Sequence, residues 1–254
     1  MTTVLLSFAA ISAWGAVVGI VVGFTAVGTG LLGIPGLIVL FGMDAVIAVG
    51  TMAVAGVFMM TMGAITHFRN GNVEPRIALN FSLTAVPASY FAASNARRLN
   101  DVVPLEIIIA VVIVISVVLL FHRYLILRPA PRELRVTRAH YMAAPVVGLV
   151  MGLLIGSASI SGSIIVIALI LVLKLPSPHA IGTTSVVSAI SLAIASVAHI
   201  RGGNVDWVVV VALVPGVLLG SALGARYVNR VPRDALRVGI LLILLAAAVM
   251  MIVR

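Results

Sequence analysis

Cysteine is absent from the sequence, so disulfides, thiolate metal sites and sulfur-based redox chemistry are excluded together. Charge is scarce as well: 9% of the residues are charged, where an ordinary soluble domain carries roughly one quarter. Only seven residues are acidic. All of them (Asp44, Glu74, Asp101, Glu106, Glu133, Asp206 and Asp234) fall at the ends of apolar runs or between them. Short segments of alternating polarity are missing, which argues against a β-barrel. What remains is hydrophobic. Apolar residues make up 62% of the chain and the mean hydropathy is +1.28, more apolar surface than a water-soluble fold of 254 residues can hide. Repeated apolar runs of about 20 residues point to an all-α integral membrane protein with several crossings.

The formal net charge of +9 does not describe a nucleic-acid binder. The bases are arginines and the single Lys174, and nearly all lie between apolar runs, where they orient a membrane protein and meet lipid headgroups. Met1-Thr2-Thr3 carries no basic region before the first apolar stretch, which therefore reads as a retained helix.

Apolar segments run over 4–27, 30–42, 45–66, 77–95 and 102–122, and again over 140–158, 162–173, 180–199, 207–229 and 235–253. Between the two sets lies a basic linker, 123–139, with Arg123, Arg128, Arg132, Arg135 and Arg138 beside Pro129 and Pro131. It divides the chain into a first transmembrane repeat, 1–122, and a second, 140–254. The halves are copies of one another. At a constant offset of 132 residues, Gly50-Thr51 pairs with Gly182-Thr183, His67 with His199, Arg69 with Arg201, Gly71-Asn72 with Gly203-Asn204, and Glu74 with Asp206.

Charge also predicts topology. With five segments per half, one face collects twelve bases: Arg69, Arg76, the five linker arginines, Lys174, Arg226, Arg230, Arg233 and Arg237. The other face collects Arg97, Arg98, Arg201 and Arg254. Four crossings per half would divide the bases almost evenly. The positive-inside rule therefore prefers five, with the linker cytoplasmic and the two repeats inverted.

Each half contains a break. Gly28-Thr29-Gly30 and Gly33-Ile34-Pro35-Gly36 interrupt the first; Gly156-Ser157 through Ser161-Gly162-Ser163 interrupts the second. The segments that follow are too short to span at about 1.5 Å per residue. Interrupted segments at matching places in two repeats mark the midplane site of many transporters. Small residues also simply let membrane helices pack closely.

Hydroxyls cluster around the breaks and the helix starts that follow: Thr25, Thr29, Thr51, Ser157, Ser159, Ser161, Ser163, Thr183, Thr184, Ser185 and Ser188. A helix start offers unpaired N–H groups and a positive dipole end, which with nearby hydroxyls can hold an anion without a buried arginine. Of these, Thr25, Thr29, Thr51, Ser159, Ser161, Ser163, Thr183 and Thr184, with Gly28, Gly30 and Gly162, form the candidate substrate site. His67 and His199, near the ends of their helices, are the only groups that qualify as proton carriers within the membrane; each either relays protons or fixes a helix end at the interface. In Arg69-Asn70-Gly71-Asn72 and Arg201-Gly202-Gly203-Asn204, glycine is expected to end one helix and asparagine to cap the next. The arginines otherwise gather anions at the mouths. Paired carboxylates, metal-ligand clusters and Ser–His arrangements at helical spacing are missing, so an enzyme is not expected, nor is a metal or cofactor.

The doubled G-T…H-x-R-x-G-N-V-[DE], each copy behind a small-residue break and a short segment, resembles the TauE/SafE sulfite-exporter family over essentially the whole chain. That resemblance implies a bacterial inner-membrane carrier of sulfur-containing anions such as sulfite, sulfoacetate or other organosulfonates, with the lipid bilayer as its only other partner. Export by alternating access is the leading expectation and a gated anion channel the alternative. The chain departs from the family's glycine-rich break by carrying Thr29, Ser161 and Ser163 there.

Overall fold

In the computed structural model the described residues are 2–25, 28–121 and 137–227, together with Gly239, Leu242, 244–249 and Met251. Most of the basic linker and much of the last apolar segment lie outside them. Ten helices are described: α1 (Thr2–Thr25), α2 (Thr29–Val39), α3 (Ala45–Arg69), α4 (Pro75–Ser94), α5 (Ala96–Val102), α6 (Leu105–Phe121), α7 (Arg138–Ala158), α8 (Ser163–Leu171), α9 (Ser177–Arg201) and α10 (Trp207–Tyr227). No strand occurs among the described residues.

Four helices, α3, α7, α9 and α10, are long and apolar enough to cross a membrane, and the bent pair α5–α6 makes a fifth candidate. The sequence reading leaves 96–101 as a connection between the segments 77–95 and 102–122. The structure instead places α5 at 90° to α6. Its seven residues, Ala96-Arg97-Arg98-Leu99-Asn100-Asp101-Val102, are too polar and too few for a spanning segment. Val103 turns extended ahead of Pro104, as the residue before a proline tends to.

The internal duplication reaches the helix boundaries. α3 and α9 each contain 25 residues and begin and end 132 residues apart; α4 and α10 also begin 132 apart. Both long helices close in the same way. Gly71 and Gly203 take φ of +69° and +67°, and the N–H groups of Asn72 and Asn204 bond back to the carbonyls of His67 and His199 at 2.9 Å. This is the left-handed glycine stop the sequence predicts.

Packing is reciprocal between the halves. α1 lies along α10, and α4, the first-half counterpart of α10, lies along α7, the second-half counterpart of α1. Glycines four residues apart let the backbones touch. Cβ atoms at Gly148, Gly152 and Gly156 of α7 would run into the carbonyls of Phe81, Ala85 and Ser89 on α4. Gly216, Gly220 and Gly224 of α10 stand likewise against Ser12, Ala16 and Ile20 of α1. Bilayer lipid is as apolar as leucine, so helices associate through such close van der Waals approach rather than through a hydrophobic drive. Two hydroxyls secure these seams: Ser12 donates to the Ala212 carbonyl at 2.8 Å, and Thr84 to the Pro145 carbonyl at 2.6 Å.

At the centre α3 and α9 cross antiparallel. Gly50, near the start of α3, backs onto His199 and Asn204 at the end of α9; Gly56 faces Leu192; Gly63 faces Ser185. The exchanged contact is present too, with Gly182 against His67 and Asn72.

Candidate functional site

The two breaks meet. A Cβ on Gly28 would strike the Ser161 carbonyl, and one on Gly30 the Ser159 carbonyl, so the start of α2 crosses the start of α8 backbone to backbone. Gly28, Thr29, Gly30, Ser159, Ser161 and Gly162 are all buried there. Ser159 takes a left-handed φ of 47° and ends α7; its hydroxyl donates to the Val49 carbonyl of α3 at 2.8 Å. Gly162 has a φ of 89°, a value that favours glycine. Neither Gly28 nor Gly162 caps its helix with a side chain, so the first N–H groups of α2 and α8 lack the usual partner.

Buried hydroxyls lie at the crossing and along α9. Thr29 is 1% exposed, and its Oγ1 lies 3.1 Å from where a Cβ on Gly56 would stand. Ser161, Thr184, Ser188 and Ser191 are buried, and none of their hydroxyls has a hydrogen-bond partner. Thr184, Ser188 and Ser191 recur at three- and four-residue intervals, which sets them on one face of α9. Leaving a buried hydroxyl unpaired costs about 1–3 kcal/mol. Of these four, Ser161 stands at the crossing itself, and the other three line one face of α9.

Thr51 and Thr183 accept hydrogen bonds from the opposite half. The N–H of Asp206 donates to Thr51 Oγ1 and the N–H of Glu74 to Thr183 Oγ1, each at 3.0 Å. These bonds are exchange counterparts at the 132-residue offset, and they brace each repeat's long helix against the turn that ends the other's. Valine at either position would strand a half-buried N–H, at about 1 kcal/mol. Thr25 ends α1 and Ser163 begins α8; the side chains of both lie outside the described residues.

The two histidines differ. His199, in the last turn of α9, is fully buried, and its Nε2 donates to the Gly156 carbonyl at 3.1 Å, joining α9 to α7. His67 is half-buried near the end of α3. Arg69 is exposed, and Arg201, also exposed, donates to the Tyr90 hydroxyl at 3.2 Å. Asn204 does not cap α10. Asp206 does, accepting from the N–H groups of Val208 and Val209 at 2.9 and 3.1 Å. The buried Asn204 instead accepts from Arg97 Nε at 2.6 Å. Asn72, its counterpart, is half-buried. The Arg97 contact ties α5 of the first half to the α9–α10 turn of the second, and sequence reasoning missed it because 107 residues separate the partners.

A bundle of apolar helices around a buried, hydroxyl-lined crossing of two broken segments defines a multi-pass membrane protein of the transporter class. A profile described as sulfite exporter TauE/SafE matches residues 11–251, and the chain belongs to that family. Two relatives in Bacillus subtilis (strain 168) align along most of their length. The probable membrane transporter protein YdhB is 31% identical over 88% of this chain and 91% of its own. The probable membrane transporter protein YjnA is 27% identical over 85% and 90%. No solved structure matches the chain. The protein is thus a membrane transporter.

Proposed function

We propose that this chain is a secondary transporter of small sulfur-containing anions, such as sulfite, sulfoacetate or other organosulfonates, and that it exports them across a bacterial inner membrane by alternating access. The observation that carries this reading is the buried crossing of two helix starts without side-chain caps, with unpartnered hydroxyls at it and along α9. Uncapped helix starts attract negative charge, and hydroxyls add neutral donors. Among the described residues no aspartate, glutamate, lysine or arginine is buried, so no fixed side-chain charge competes with the anion for those donors or repels it.

The halves, 1–122 and 140–254, act as two inverted repeats that rock about this crossing. The antiparallel passage of α3 and α9 and the reciprocal threonine bonds support that arrangement. Two equivalent packings of repeated elements are what alternating access requires.

Counter-exchange in proteoliposomes tests the carrier mechanism. Preloading with unlabelled sulfite is expected to accelerate uptake of labelled sulfite, and initial rates are expected to saturate. Rates linear in concentration, with no acceleration by preloading, would establish a gated anion channel instead.

A further inference from the structure

Positive potential at the crossing comes from backbone. Buried polar side chains among the described residues are Ser and Thr, with His199 and Asn204 the exceptions. Each uncapped helix start is equivalent to about half a positive charge, so α2 and α8 together supply about one. No buried lysine or arginine adds to that value among the described residues, and no buried aspartate or glutamate subtracts from it.

Donors are distributed unequally between the halves. At the 132-residue offset, the Thr29–Gly56 contact of the first half corresponds to Ser161 and Ser188 in the second. Met52 and Met59 of α3 correspond to Thr184 and Ser191 of α9. The first-half positions are therefore one threonine, one glycine and two methionines, and the second-half positions carry four unpartnered hydroxyls, each at most 2% exposed. Volume is balanced in the exchange: Met52 packs its Sδ and Cε against Gly33, whereas Thr184 corresponds to Met52 and Ile165 to Gly33.

We propose that the site selects singly charged oxyanions, whose oxygens are held by Ser161 and Ser188 of the second half, and rejects anions that carry two charges. This rests on the anion-transport reading and narrows its substrate class to simple sulfonates and hydrogensulfite, over sulfate, the sulfite dianion and sulfoacetate. The physical reason is charge matching. Born desolvation grows as the square of the charge, about fourfold for a dianion, while the two helix starts return only about one compensating charge. Hydroxyls donate hydrogen bonds but neutralise nothing.

Titration calorimetry on the purified full-length protein, at about pH 8 where carboxylates are fully ionised, tests this with two ligands. Sulfoacetate and sulfoacetamide share a sulfonate head and nearly the same shape, but carry two charges and one. Sulfoacetamide is expected to bind more tightly by at least about tenfold. Ser161→Ala and Ser188→Ala should each weaken sulfoacetamide binding by about tenfold to a hundredfold, as loss of a hydrogen bond to a charged group does. Ser157→Ala, whose hydroxyl bonds to the Leu153 carbonyl of its own helix at 2.8 Å, should leave affinity unchanged. Sulfoacetate binding as tightly as sulfoacetamide overturns the charge selection, and this comparison needs no variant to fold. Wild-type affinity in both folded serine variants overturns the placement of the oxygens. Failure of both ligands, and of sulfite, to bind overturns the sulfur-anion reading and this inference with it.

Discussion

Gly28→Ala is expected to reduce transport to the level of protein-free liposomes. The backbone at Gly28, φ −59° and ψ 148°, is one that alanine adopts freely, so no conformational strain arises there. The damage is contact. An added Cβ meets the carbonyl of Ser161 and comes within 3.3 Å of the Gly162 nitrogen, and neither atom belongs to a side chain that can rotate away. The starts of α2 and α8 must separate, and the donors gathered at the crossing part with them. Gly71→Ala provides the contrast. Nothing lies within 4 Å of its would-be Cβ, but φ is +69°, so the expected result is a stability loss of about 1–2 kcal/mol with transport retained. Flux and thermal unfolding measured on the same preparations separate the two effects. Wild-type flux through folded Gly28→Ala would place the pathway away from the crossing.

Labelling of single cysteines is expected to give an all-or-none result. The chain has no native cysteine, so Arg69→Cys and Arg201→Cys each present one thiol to an impermeant maleimide. Both arginines are exposed and end their helices. Because α3 and α9 run antiparallel, those ends point to opposite faces. In spheroplasts Arg201→Cys should label fully and Arg69→Cys only after permeabilisation. The Arg97–Asn204 bond places position 97 on the face of Arg201, so Arg98→Cys should follow Arg201→Cys. Labelling of positions 69 and 201 from the same side would refute inverted repeats.

Much of this architecture is legible in the sequence, because composition and duplication act over long stretches. The segments read as 45–66 and 180–199 lie within α3 and α9, and both breaks fall where glycine and serine interrupt the apolar runs. The left-handed stops at Gly71 and Gly203 follow from the same local pattern. Features that depend on distant partners were misread or missed. Thr51 and Thr183 read as substrate hydroxyls, yet their acceptors' bonds come from N–H groups 155 and 109 residues away. Asn204 reads as a helix cap until Arg97 is placed beside it. The pairing of α1 with α10 and of α4 with α7 does leave a trace, the four-residue glycine spacing of α7 and α10, although spacing alone does not name the facing helix. α5 left none, because a polar run of seven residues reads as a loop.

The most direct test of the central claim is anion efflux from proteoliposomes under an imposed potential, with no proton or sodium gradient. An anion leaving an inside-negative compartment gains about 2.3 kcal/mol per charge per 100 mV, so export needs no coupling ion. No buried carboxylate among the described residues is available to carry a proton, which leaves as candidate relays His67 and His199, in the last turns of α3 and α9. The account predicts that the potential alone drives saturable efflux of sulfite or a simple sulfonate. Efflux that requires a proton gradient and persists after replacement of both histidines would contradict it.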